Sequence, residues 1–145
     1  MAICRYFETL HPVPAPMGKD AKEKAVVEMW ERRAYDEGLI GAAEVFHNTH
    51  AAFKDRSIRR LRKPDSASPG PRNAGRQRLC RFFEVLDCQL ADNEFVAGHQ
   101  ISVADITALC AIDLAKNRVE TGIPEGHDNV RRWYEAVSAR PSAAT

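Results

Sequence analysis

Residues Phe95–Lys116 read FVAGHQISVADITALCAIDLAK, and this stretch decides the fold. Ser102 and Asp105 stand three residues apart ahead of an apolar run, the pattern of a capping box. In that motif the hydroxyl accepts from the amide of residue 105, and the carboxylate reaches back to the amide of residue 102. Ile101 before the cap and Ile106 after it are spaced as a hydrophobic staple. Val103, Ile106, Leu109, Cys110, Ile112 and Leu114 then place apolar side chains nearly all round the helix, so it is expected at the centre of its domain. Asp113 is the exception. It sits late in this helix, where the dipole disfavours a negative charge, and a buried carboxylate needs a partner. An arginine contact is expected, from Arg33, Arg131 or Arg132; a solvated rim position is the other reading.

The flanking segments are also helical. Upstream, residues 75–92 carry Leu79, Phe82, Phe83, Leu86 and Leu90 on one face. Downstream, DNVRRWYEAVSARP forms a last helix that stops at Arg140-Pro141. Asp20 opens a long helical stretch to about residue 53. Tyr35, Leu39, Ala42, Phe46 and Phe53 form one apolar stripe there, and Val27, Trp30 and Ala34 a second. Gly38 and Gly41 lie between the stripes and predict a kink. Residues 63–75 read as a loop, with Lys54–Arg62 extending the long helix or fraying from it. Residues 11–18, HPVPAPMG, alternate three prolines and form an extended connector. Residues 2–10 are a short helix whose Ile3, Tyr6, Phe7 and Leu10 share one stripe. No period-two pattern appears, so the fold class is all-α.

Composition narrows the function. The 145 residues carry a net charge of +1, with 44% hydrophobic and 28% charged residues, which suits one globular domain. No apolar run approaches the roughly 20 residues that span a bilayer, and the N-terminus lacks the apolar core of a signal peptide. Cys4, Cys80, Cys88 and Cys110 form no C-x-x-C pair, so they read as reduced thiols in a cytoplasmic protein. Glu44 and His47 form an E-x-x-H pair, but a di-iron bundle needs a second pair and two more glutamates, so no metal is expected. Charge is uneven. Ten basic residues lie between Lys54 and Arg81, opposed only by Asp55 and Asp65.

The capping box and staple resemble those of the central helix in cytosolic glutathione S-transferases. Other pieces agree in order. AICRYFE resembles the end of that family's thioredoxin-like first domain, and HPVPAPMG its interdomain linker. VEMWERRAYDEGL resembles the first helix of its all-α second domain. RFFEVLDCQLADNEFVAG and NVRRWYEAVSARPS resemble the helices on either side of the central one. The resemblance implies a remnant of the first domain over residues 1–10, a linker over 11–18 and the C-terminal helical bundle over 19–145. It implies a long kinked first helix and a buried central one.

It further implies a detoxifying transferase, with glutathione as co-substrate, a small hydrophobic electrophile as substrate and a homodimer as assembly. The family's first domain holds glutathione and activates its thiol; none of those elements is matched here, so no catalytic residue is carried over. The first half of the long helix faces the substrate in that family. Met29, Arg33, Asp36 and Ile40 share a face by helical spacing and are the expected hydrophobic wall with one cation; an ordinary amphipathic surface is the other reading. The alternative function is a non-catalytic interaction module that uses the basic stretch to meet an anionic partner. No aromatic lies between Phe53 and Phe82 to stack on bases, so nucleic acid is not the expected partner.

Overall fold

The computed structural model describes residues 1–50 and 71–143. It is helical, with no strand among the described residues. Helix α1 spans Ala2–Leu10 and α2 spans Ala21–Arg33; a π-helical turn over Ala34–Leu39 leads into α3, Ile40–Thr49. Helix α4 spans Pro71–Asp92, α5 Val103–Arg118 and α6 Asp128–Ser138, followed by a short 3₁₀ turn at Pro141–Ala143.

Asp20 caps α2 by accepting the Glu23 amide at 2.8 Å, while Glu23 accepts the Lys19 amide at 2.9 Å. The first bond satisfies an amide that the first helical turn leaves without a partner, and the second ties down the residue ahead of the cap. The irregularity expected at the glycines is the π turn, where the Ile40 amide bonds back to the Tyr35 carbonyl. Gly38 and Gly41 serve close approach as well. A Cβ on Gly38 would lie 3.0 Å from both Ala111 Cβ and Phe82 Cε1. A Cβ on Gly75 of α4 would lie 2.9 Å from the Gly41 carbonyl oxygen, so α3 and α4 cross almost backbone to backbone.

These small residues correct the expected stripe. The buried line runs through Val27, Trp30, Ala34, Gly38, Gly41, Ala42 and Val45. Tyr35 is 39% exposed and Phe46 half-buried; Leu39 packs partly on the core, and Phe53 lies outside the described residues. Large side chains mark a stripe in the sequence, but two helices meet most closely where side chains are smallest.

Helix α4 buries Leu79, Phe82, Phe83, Leu86 and Leu90. It also starts earlier than expected, so residues 71–75 are helical; the remainder of the expected 63–75 loop and Lys54–Arg62 lie outside the described residues. Helix α5 packs against α2, the π turn, α3 and α6. Its buried face is made mostly of Ala104, Ala108, Ala111 and Ala115 with Ile112, while Ile106 and Cys110 are exposed. Alanine lets four elements approach one helix, leaving the larger apolar residues at its margins.

Helices α4 and α6 cap each other. Asp87 of α4 accepts the amides of Asn129 and Val130 at 3.0 and 3.1 Å, satisfying the first turn of α6. Arg132 of α6 donates to the Leu90 and Asn93 carbonyls at 2.5 and 3.3 Å, at the C-terminal end of α4. Helix α1 has no buried residue. It is held on its polar side by an Arg5–Glu28 ion pair and by Glu8, which accepts the Met17 amide at 2.8 Å. The linker is pinned where the Val103 amide donates to the Pro16 carbonyl at 2.9 Å.

Candidate functional site

The residues singled out in the sequence fall in two places, the start of α5 and the outer face of α2 with the π turn. Both arms of the capping box are present at Ser102 and Asp105. Asp105 does more than close the box. One carboxylate oxygen accepts the Val96 amide and the Trp133 indole N–H, each at 2.9 Å. The other accepts the Ser102 amide at 2.8 Å and the Ser102 hydroxyl at 3.0 Å. Asp105 has no solvent exposure, so its charge is spread over four donors instead of water. It thereby ties the 95–102 loop, α5 and α6 into one joint. Ile101 packs against the core, whereas Ile106 is 54% exposed, so the two isoleucines do not share a buried setting.

On α2 and the π turn, Met29 is exposed and Arg33, Asp36 and Ile40 are half-buried. Asp36 pairs with Arg32 at 2.7 Å. The Arg33 guanidinium lies 5.3 Å from the centre of the Trp30 ring, a cation–π contact that holds its stem against the bundle.

Asp113 takes a different partner from the one expected. Tyr134 of α6 donates its hydroxyl to Asp113 at 2.7 Å, and Lys116 lies 5.4 Å over the Tyr134 ring. The candidate arginines are engaged elsewhere: Arg33 over Trp30, Arg131 with Asp128 at 4.0 Å, and Arg132 on α4 carbonyls. Burial, then the hydrogen bond to Asp113 and its negative charge, push the Tyr134 phenol up to about 12. That hydroxyl is a firm hydrogen-bond donor at neutral pH. Glu44 of the E-x-x-H pair binds Arg78 at 3.3 Å.

Sequence reasoning missed a cleft of about 550 Å³ between the linker, the first turns of α2 and the 97–102 loop. Val26, Val27 and Ile101 are among its apolar lining, and Asp20, Lys22 and Glu23 give it charges of both signs. None of Met29, Arg33, Asp36 and Ile40 lines it. Its walls come from three separate segments, so no local pattern announces it.

The model of the glutathione S-transferase C-terminal domain matches residues 68–141. The chain is 29% identical to glutathione S-transferase 2 of Saccharomyces cerevisiae, covering 97% of this chain and 58% of that protein. Among solved structures, a Gtt2-class glutathione S-transferase of Vibrio parahaemolyticus is 31% identical with a TM-score of 0.76, covering 99% of this chain and 62% of its own. Gtt2 from Saccharomyces cerevisiae superposes with a TM-score of 0.81 at 27% identity, covering 98% of this chain and 65% of its own. The chain thus spans less than two thirds of the length of each of these proteins. A family model that takes in α4 to α6 and the joint at Asp105, and a bundle that lies over two solved transferases, lead to one conclusion: this chain belongs to the glutathione S-transferase family.

Proposed function

We propose that this chain is the helical, substrate-facing part of a cytoplasmic glutathione transferase that detoxifies small hydrophobic electrophiles, with glutathione as co-substrate. Thiolate attack on an electrophilic carbon is the chemistry of such an enzyme, because the thiolate is the strong nucleophile. In this reading Met29 and Ile40 form the apolar wall, and Arg33 holds an anionic group on the substrate. The observation that carries the reading is the division of charge on that face: Asp36 is committed to Arg32, while Arg33 is held half-buried against Trp30. An aromatic anion therefore meets apolar side chains and one cation together.

An aryl sulfonate dye tests the wall directly. Its binding to the purified chain is expected to weaken at least roughly fivefold in Arg33→Ala and in Ile40→Asp, a loss of about 1 kcal/mol. Unchanged affinity in both variants overturns the assignment. The chain alone is expected to show no saturable conjugation of glutathione to an aryl halide; saturable turnover would place the thiol-activating chemistry within these residues. Homodimerisation is part of the proposal, with residues 2–10 and the long helix contributing. Ile3, Tyr6, Phe7 and Leu10 are each more than half exposed on α1, an arrangement that commonly marks a contact surface. Sedimentation at micromolar concentration is expected to show a dimer, and a clean monomer would remove this part.

A further inference from the structure

We propose that Arg32 sets the charge preference of the α2 wall by keeping Asp36 away from Arg33, which makes it a positioning residue for specificity. The inference rests on the wall assigned above to Met29, Arg33, Asp36 and Ile40. That wall carries a cation and a carboxylate at i, i+3 spacing, close enough on a helix to pair. They take other partners instead. The Arg33 guanidinium lies over Trp30, and the Asp36 carboxylate takes Arg32 Nε at 2.7 Å. The Arg32 guanidinium also lies 5.5 Å from the centre of the Tyr35 ring, so it is held from two sides.

Helix stability gives a poor account of this arrangement. At i, i+4 spacing the more stabilising order is acid before base, and here the base comes first. The side chains of Arg32 and Asp36 are 67% and 47% exposed, so their pairing adds little to folding. Its consequence falls on the wall. With Arg32 in place the carboxylate is neutralised, and a ligand meets the half-buried Arg33 as positive charge beside Met29 and Ile40. Without Arg32, Asp36 stands three residues from Arg33 and either pairs with it or opposes it. Local charge falls by one in both cases, so an anion is held less well and a cation better.

The test uses the whole purified chain at low ionic strength and two probes with the same ring system, an aryl sulfonate and an aryl trimethylammonium. The readout is the ratio of their affinities, because a loss of fold or of apolar contact weakens both alike. The parent is expected to prefer the sulfonate. Arg32→Ala is expected to lower the sulfonate-to-ammonium ratio roughly fivefold, about 1 kcal/mol. Adding Asp36→Asn to Arg32→Ala is expected to return the ratio to within about twofold of the parent, because the carboxylate that Arg32 restrains is gone. Tyr35→Leu is expected to shift the ratio in the same direction as Arg32→Ala, by less. Arg118→Ala, the same change of net charge at an exposed position on α5, is expected to leave it unchanged. A ratio unmoved by Arg32→Ala, moved equally by Arg118→Ala, or not restored by Asp36→Asn overturns the role of Arg32, and sulfonate binding that is still lost in Arg33→Ala then leaves the wall standing. Sulfonate binding unchanged in both Arg33→Ala and Ile40→Asp overturns the wall and this inference with it. A parent that prefers the ammonium, or binds neither probe, overturns both as well.

Discussion

Asp105 and Glu8 are both carboxylates that accept a backbone amide across a junction, and they differ in burial and in how many donors depend on them. Asp105 is fully buried and satisfies four donors drawn from α6, the 95–102 loop and its own cap. Glu8 accepts the Met17 amide from a helix with no buried residue. The same chemistry therefore has unequal consequences. Removing Asp105 strands several donors that water cannot reach, whereas removing Glu8 frees a single amide at a part-buried contact. A carboxylate organises a fold in proportion to the number of buried groups that depend on it.

Asp105→Ala is the strongest challenge to that contrast. It is expected to destabilise the chain by about 3–5 kcal/mol in urea unfolding, since several buried donors lose their acceptor together. A loss under about 1 kcal/mol would erase the difference between the two sites. Trp133→Phe removes one donor and keeps most of the ring volume; a cost of about 1–3 kcal/mol is expected, measured the same way. Ser102→Ala removes the cap hydroxyl and is expected to cost about 1 kcal/mol. A melt unchanged by it would show that the box contributes nothing.

The Asp113–Tyr134 pair lies between these extremes, partly buried and with a single hydrogen bond. Because the folded Tyr134 phenol titrates at about 12 against an ordinary 10.0, its contribution is present below the ordinary value and is lost as pH rises through about 12. Absorbance titration of the phenols should show one late-titrating group that disappears in Tyr134→Phe and moves down toward 10.0 in Asp113→Asn. The smallest effect belongs to Glu8→Gln, expected to stay within about 0.5 kcal/mol of the parent in global stability. Faster amide exchange in residues 2–10 of that variant, at an unchanged urea midpoint, would sharpen the contrast.

The sequence by itself determined whatever lies within a few residues of its cause. Ser102 and Asp105 are three apart, so their box is written in the chain, as are the Asp20 cap and the apolar face of α4. The resemblance to transferases was legible for the same reason, since it rested on short ordered motifs. The Asp113 partner was not legible: three arginines were chemically reasonable, and Tyr134, 21 residues away, reached it instead. Nor was the third duty of Asp105, because the Trp133 indole lies 28 residues along the chain. Asp87 capping α6 spans 42 residues, and the 550 Å³ cleft draws on three segments. Tertiary structure decided these because they depend on how closely helices approach. That approach was set by Gly38, Gly41, Gly75 and the alanines of α5, residues with little hydrophobicity to reveal them in a pattern. Their small size let the backbones meet, and the meeting chose which distant polar groups became partners.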